Sequence, residues 1–419
     1  MADVYALLDT WIEHVKDPEL LAELTKLKED GDTGAITDAF FQDLEFGTAG
    51  LRGTIGAGTN RMNIYTVGRA TQGFADYLNQ TFDNPTVAIA RDSRNKGELF
   101  VKTTASILAA NGVTSYIYPK ISPVPTLSWA TRYLNCSGGI CMTASHNPAP
   151  YNGYKAYWDD GAQVLAPHDK GIIDEVNAIA SAADIKFQGN PDLIQIIGED
   201  IDKIYLDMVK TVSIDPAAIA RHKDMKIVYT PIHGTGMMLI PRALKMWGFE
   251  NVFTVPEQMI KDGNFPTVVS PNPENAEALS MAVNLAKEID ADLVMASDPD
   301  ADRVGAAVKN NEGEWVLLNG NQTALMFVYY LITRWKELGK VNGKEYVVKT
   351  IVTTETIKTI AERNGVEIYD VYTGFKWIAN VMRENEGKKN YIGGGEESYG
   401  FLSSTFVRDK DGVNASLLI

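Results

Sequence analysis

Short, wholly apolar runs alternate along this chain with longer stretches whose apolar residues recur at helical spacing, the pattern of buried strands wrapped by amphipathic helices. The run Gly139, Ile140, Cys141, Met142 has the length of a short buried strand, and Asn147-Pro148 just beyond it initiates a turn. Ahead of it the spacing predicts a helix over 64–80, a strand over 86–90, a helix over 97–110 ended by Asn111-Gly112, and a strand over 113–118 that leads through the Pro-rich SPVPT. The rhythm restarts near residue 224, with a strand over 225–230, a helix over 237–247, a strand over 252–255, a helix over 274–289 and a strand over 292–296. From Gly320 a third block reads as a helix to Leu338, a strand over 345–352, a helix over 354–364, a strand over 366–372, a helix over 375–384, and a strand at Tyr391-Ile392 opening into GGGEESYG. Residues 3–30 read as two helices parted at Asp17-Pro18, since Asp caps and Pro suits the first helical position. The expected organisation is α/β: a helical extension over 1–42, then α/β domains over 43–215, 216–319 and 320–419.

At 419 residues and 45% hydrophobic content the chain exceeds what one core usually supports, which agrees with several domains. Acidic residues outnumber Lys and Arg by 54 to 39, a net charge of −15, which argues against a general binder of nucleic acid or anionic membrane. Any phosphate site must be locally basic within that field. The cysteines, Cys136 and Cys141, form neither a disulfide framework nor a zinc site, and a reducing cytoplasm is expected. The N-terminal stretch lacks a secretory h-region, and the longest apolar run, 324–332, is far short of the roughly 20 residues a membrane helix needs. No pattern specifies an oligomeric state.

Chemistry concentrates at predicted strand ends, where ligands of open α/β sheets bind. Ser145, in TASHNP, follows the 139–142 strand, with His146 beside it and Lys155 downstream; the competing reading is a capping or turn serine. Asp298, Asp300 and Asp302 follow an apolar strand, and alternate residues of an extended loop point one way. Carboxylates about 5 Å apart at an effective dielectric near 20 repel by roughly 3 kcal/mol per pair, a conflict that a bound dication removes. Oxygen ligands suit Mg²⁺, Mn²⁺ or Ca²⁺. An EF-hand is excluded, because its Gly and Glu positions hold Arg303 and Lys309. An aspartate-nucleophile phosphatase also places DxD after a strand and remains an alternative. The Gly-rich 46–63 loop carries Arg52 and Arg61 for anion contact, and Arg91 and Arg94 end another strand as solvated charges or phosphate ligands. HGTG at 233–236 lacks the third glycine of a dinucleotide loop, which is Leu239, and GGGEESYG lacks a Walker lysine and presents Glu396, Glu397 and Ser398 to hydroxyls.

Taken together, GTAGLRG around Arg52, TASHNP around Ser145, DPDADR from Asp298 to Arg303 and GEESYG from Gly395 to Gly400 resemble the α-D-phosphohexomutase family, of phosphoglucomutase/phosphomannomutase type, over essentially all of 45–412. The resemblance implies three consecutive α/β domains with mixed sheets, and a hexose phosphate substrate, glucose first, interconverted between its 1- and 6-phosphates, with mannose or pentose phosphates as the alternatives. It makes Ser145 the phosphorylated residue, and Ser145, Asp298, Asp300 and Asp302 the ligands of one Mg²⁺. It puts His146, Lys155 and Arg303 at the transferring group, with Lys155 as an acid/base, and makes Arg52, Lys376, Glu396 and Ser398 substrate-binding, Glu396 and Ser398 on the sugar hydroxyls. A glucose 1,6-bisphosphate-type primer is implied, because an unmodified serine has no phosphoryl group to give. Family members carry a fourth, C-terminal domain that clamps the distal phosphate. The 419 residues hold no counterpart, so a truncated chain with impaired turnover is expected, or a non-catalytic binding fragment.

Overall fold

In the computed structural model, residues 3–47 and 50–419 are described, and the apolar runs become the central strands of three mixed sheets. In the first, the order is Gly50–Thr54, Tyr151–Trp158, Gly138–Met142, Thr86–Arg91, Thr114–Ile117, Ile194–Ile196. The last four run parallel, and Tyr151–Trp158 pairs antiparallel with both its neighbours. Alternation along Thr86–Arg91 serves two faces. Ala88 and Ala90 share a core with the helix Val124–Tyr133, while Val87 and Ile89 share one with Ile64–Thr81 and Gly97–Ala110.

The second sheet orders Trp315–Leu318, Val304–Lys309, Leu293–Ser297, Lys226–Thr230, Asn251–Thr254; the third orders Glu367–Val371, Glu345–Thr350, Asn390–Gly395, Phe401–Leu402. Each has a parallel centre and an antiparallel margin. One apolar core runs from Leu127 and Tyr205 through Tyr229 and Met295 to Phe327 and Val347, so the three sheet units are packed together rather than strung on linkers. The N-terminal helices Val4–His14, Pro18–Asp30 and Thr33–Phe40 bury Leu8, Leu24, Ile36 and Phe40 in a separate small cluster. The Asp17 carboxylate accepts from the Glu19 and Leu20 amides, and Pro18 opens the second helix.

Some elements differ from the sequence reading. Val124–Tyr133 is a helix where a Pro-rich passage was expected, because Pro125 falls in its first turn, where a missing N–H costs nothing. Tyr151–Trp158 is a strand buried almost throughout; being covered on both faces it shows no alternation to read. Gly153 lies within it, where a Cβ would fall 2.4 Å from the Thr143 carbonyl oxygen, so only glycine lets the strand pass this close under the TASHNP loop.

The site follows from this layout. Gly138–Met142 delivers the TASHNP loop, Leu293–Ser297 the DPDADR loop and Asn390–Gly395 the EESYG turn, all from the carboxyl ends of central strands.

Candidate active site

Ser145 is buried and sits in the left-handed region at φ 51°, a conformation costing an L-residue about 1–2 kcal/mol. Its amide donates to Thr143 Oγ1 at 2.9 Å. Its hydroxyl donates to Asp298 Oδ2 at 3.0 Å and lies 3.1 Å from His146 Nδ1. The serine of the first unit thus meets the acid trio of the second directly. Thr143 makes the second crossing, its hydroxyl lying 2.6 Å from Asp92 Oδ2 and 3.1 Å from Asp300 Oδ2. One hydroxyl proton cannot serve two carboxylates at once. Burial pushes the Asp92 carboxyl up to about 6, with Arg94 and the Thr143 hydrogen bond pulling the other way.

The ligand oxygens of Asp298, Asp300 and Asp302 lie within 4.8 Å of one another, and all three residues are buried. Lys155 Nζ donates to Asp300 Oδ2 at 2.7 Å and Asp302 Oδ2 at 3.3 Å; Lys410 Nζ stands 3.2 Å from Asp302 Oδ2 and 2.8 Å from Asp409 Oδ1. Burial and the two neighbouring carboxylates push Asp298 well up. At Asp300 burial is outweighed by the Lys155 ammonium and hydrogen bonds from Asp298 and Lys155, which hold it low. Burial would lower Lys155 and Lys410, but the carboxylates around them raise both, so both ammoniums are charged. Burial, then Arg303, draws His146 down to about 4 and leaves the imidazole neutral at pH 7.

These residues fit a hard dication. Asp300 Oδ1 and Asp302 Oδ1 are buried without a hydrogen-bond partner, Asp302 Oδ1 having only Arg303 Nε 3.7 Å away, an arrangement expensive unless a cation completes it. The loop itself is rigidly seated. Thr235 donates from its amide (2.8 Å) and its hydroxyl (2.9 Å) to the Pro299 carbonyl, and Val124 donates its amide to the Asp300 carbonyl at 2.9 Å. HGTG is therefore a support for the acid loop: a Cβ on Gly234 would lie 2.5 Å from Pro299 Cα.

Arg303 donates its amide to Asp298 Oδ1 at 3.1 Å and pairs with Glu274 at 3.3 Å. Glu396 is buried beside the Lys410 and Arg303 charges, its Oε1 accepting from the Gly374 amide at 3.0 Å, and burial raises its pKa. Lys376, second residue of the helix Phe375–Asn385, holds its ammonium 5.7 Å from the Trp377 ring. Ser398 is half-buried in the following turn, and Arg52 reaches Asn147 Oδ1 at 3.2 Å from an exposed position. Thr48 and Ala49 of GTAGLRG lie outside the described residues.

Three basic or acidic groups flagged in the sequence do other work. Arg61 pairs with Asp38, Arg94 is wholly buried against the TASHNP loop, and Glu397 turns back to accept from Thr350 (3.0 Å) and Thr353 (3.2 Å). Thr143, Asp92 and Lys410 went unread. Lys410 sits in the charged run RDKDG, which resembles a solvated turn until the buried partners are seen; its one sequence signal is position, soon after a buried apolar pair, Phe401-Leu402.

Three α/β units meeting at a serine and an acid trio match known proteins throughout. Models for phosphoglucomutase/phosphomannomutase alpha/beta/alpha domains I, II and III match residues 43–183, 203–313 and 319–419. A phosphoglucomutase of Staphylococcus haemolyticus is 35% identical over 412 residues, 98% of this chain and 74% of that protein. A human phosphopentomutase is 33% identical over 427, 97% of this chain and 69% of that protein. A solved phosphoglucomutase/phosphomannomutase family protein from Burkholderia thailandensis shares the fold at a TM-score of 0.69 and 21% identity, covering 89% of this chain and 75% of that one. The chain belongs to the phosphoglucomutase/phosphomannomutase family and is a phosphohexomutase-type isomerase. Among the described residues no helix is long and apolar enough to cross a membrane.

Proposed function

We propose that the chain interconverts hexose 1-phosphate and hexose 6-phosphate, glucose phosphates first among them, by passing a phosphoryl group between Ser145 and the sugar. The observation that carries this reading is the Ser145 hydroxyl 3.0 Å from Asp298 Oδ2, at the mouth of an acid trio with two orphaned oxygens. From phosphorylated Ser145, the P–Oγ bond breaks as a sugar hydroxyl oxygen bonds to phosphorus, leaving a sugar bisphosphate. The bisphosphate turns over, its other phosphoryl group returns to Ser145, and the isomeric monophosphate leaves. Transfer of this kind is mostly positioning and charge neutralisation.

Ser145, Asp298, Asp300 and Asp302 would hold Mg²⁺, which when bound neutralises charge on the transferring phosphoryl oxygens. Charged Lys155 and Lys410 supply further positive potential on the same side, and Lys155 has a proton for a leaving oxygen. His146, neutral and 3.1 Å from Ser145 Oγ, can take one. Arg303 faces the same group; Glu396 and Ser398 receive sugar hydroxyls, with Lys376 and Arg52 at the substrate's margins. An unmodified Ser145 needs a glucose 1,6-bisphosphate-type primer. Both Asp298 oxygens already accept hydrogen bonds, which favours the serine over an aspartate nucleophile. Identity to a phosphopentomutase supports a pentose phosphate as the second substrate reading. The buried free thiols of Cys136 and Cys141 support a cytoplasmic setting.

Intact-mass analysis after incubation with glucose 1,6-bisphosphate and Mg²⁺ tests the reading: one phosphoryl adduct on Ser145 is expected, and none in Ser145→Ala. Primed turnover of glucose 1-phosphate that survives in Ser145→Ala would overturn it.

A further inference from the structure

Four carbonyl groups of the serine loop converge on one side chain, while those of His146 and Pro150 accept from Ser270 Oγ (3.1 Å) and the Ile55 amide (2.8 Å). Asn147 and Tyr151 spend their amides on turns within it, to Ala144 O and Pro148 O, each at 3.1 Å. The carbonyls of Ser145 (2.6 Å), Pro148 (2.9 Å), Tyr151 (2.9 Å) and Asn147 all accept from the two terminal nitrogens of Arg94. That guanidinium is completely buried, with Asp92 Oδ2 3.3 Å from its Nε and the Phe265 ring 5.1 Å from its centre. Phe265 comes from the second unit, which also carries Asp298. We infer that Arg94 is a positioning residue for phosphoryl transfer: clamped by Phe265 and Asp92, it sets where the Ser145 oxygen stands relative to Asp298.

The inference rests on the reading of Ser145 above. Physically it follows from accounting for the carbonyls. A left-handed seryl residue is unfavourable and persists only where its surroundings over-determine it, and here one planar fork of N–H donors holds the Ser145 carbonyl together with three others of the loop. Lysine keeps the charge but has no fork, so it cannot meet four carbonyls in one plane of approach. The ring contact ties the clamp to the unit bearing the acid trio, so the loop and its carboxylate partner are referenced to the same body.

Single-turnover phosphoryl uptake by Ser145 from glucose 1,6-bisphosphate, followed by intact mass in the 419-residue chain, tests this. Wild-type uptake is the control, and its absence would fail the Ser145 reading rather than the role of Arg94. In Arg94→Lys the maximal rate should fall about 100-fold while the half-saturating bisphosphate concentration stays within about 3-fold, since a misplacement near 1 Å costs that much. Guanidinium ion, at concentrations that leave the fold intact, should restore part of the rate to Arg94→Ala, and ammonium should not. Phe265→Leu should lower the maximal rate in the same direction by less, and it carries the test alone if the Arg94 variants do not fold. A folded Arg94→Lys or Phe265→Leu with wild-type maximal rate, or a loss confined to half-saturation, would overturn the inference.

Discussion

The serine and acid loops differ from the EESYG turn in how completely their polar groups are engaged. The loops at 143–148 and 298–303 are tied to another unit by several buried contacts: Ser145 with Asp298, Thr143 with Asp300, Lys155 with Asp300 and Asp302, and the Val124 amide with the Asp300 carbonyl. In the turn after Asn390–Gly395, Glu397 is tied back to its own unit, Ser398 is half-buried, and Glu396 has one oxygen on the Gly374 amide. Each region nevertheless holds one non-glycine residue at positive φ, namely Ser145, Ala301 and Tyr399. All three regions carry local strain and all touch another unit, the EESYG turn through the Val304 amide on the Tyr399 carbonyl (3.4 Å) and the Tyr399 hydroxyl on the Leu318 carbonyl (2.6 Å), but only in the first two do the acidic and hydroxyl side chains of the site themselves cross. On the proposed function the reacting groups are preorganised, while Glu396 and Ser398, proposed to receive sugar hydroxyls, keep room to adjust.

Breaking the locked side outright should have the largest effect. Ser145→Ala should lower kcat for glucose 1-phosphate isomerisation on the order of 10⁶-fold, as loss of a nucleophile does elsewhere, with the melting temperature nearly unchanged. Next comes the frame behind Lys410. The buried Asp411 carboxyl caps Gly412–Leu418, accepts from Tyr205 at 2.8 Å, and is pushed up to about 6, chiefly by burial. A carboxyl raised in the folded state favours folding while protonated, so its contribution is full below the unfolded value near 4 and lost as pH rises through about 6. The stability difference between wild type and Asp411→Asn, from denaturant titrations, should shift against wild type across that window by at most about 3 kcal/mol. A flat difference would sink the assignment.

The acid trio gives the next effect. Mg²⁺ at a hundredfold excess over its dissociation constant should stabilise the wild type by about 2.7 kcal/mol, and Asp300→Asn should need roughly 10- to 100-fold more ion for the same thermal shift. Equal Mg²⁺ responses in both would remove Asp300 from the ligand set.

Legibility in the sequence follows the same division. Strands such as Thr86–Arg91 and Leu293–Ser297 were read nearly to their ends because a continuous apolar run is a local signal, and TASHNP and DPDADR were legible because their chemistry is written in adjacent residues. Tyr151–Trp158 and the hairpin of Val304–Lys309 with Trp315–Leu318 were not, since burial on both faces, or pairing at a sheet margin, leaves no clean period. Arg94 and Lys410 were harder still. A charge is buried only where distant carbonyls or carboxylates meet it, and nothing within RDSR or RDKD distinguishes that from a solvated run.

Glu396→Gln sharpens the contrast with the smallest change. The amide keeps an oxygen for the Gly374 N–H but turns an acceptor for sugar hydroxyls into an NH₂ beside the Lys410 and Arg303 charges. One lost charge-assisted hydrogen bond is worth about 1.4 kcal/mol, so kcat/KM for glucose 1-phosphate should fall roughly 10-fold. Because glucose and ribose phosphates place their hydroxyls differently, the ratio of their kcat/KM values should move as well, while the Mg²⁺-induced thermal shift stays at the wild-type value. If the variant changed the Mg²⁺ response and left the ratio of sugars alone, Glu396 would belong with the locked loops, and the adjustable side would have to be sought at Ser398 and Lys376.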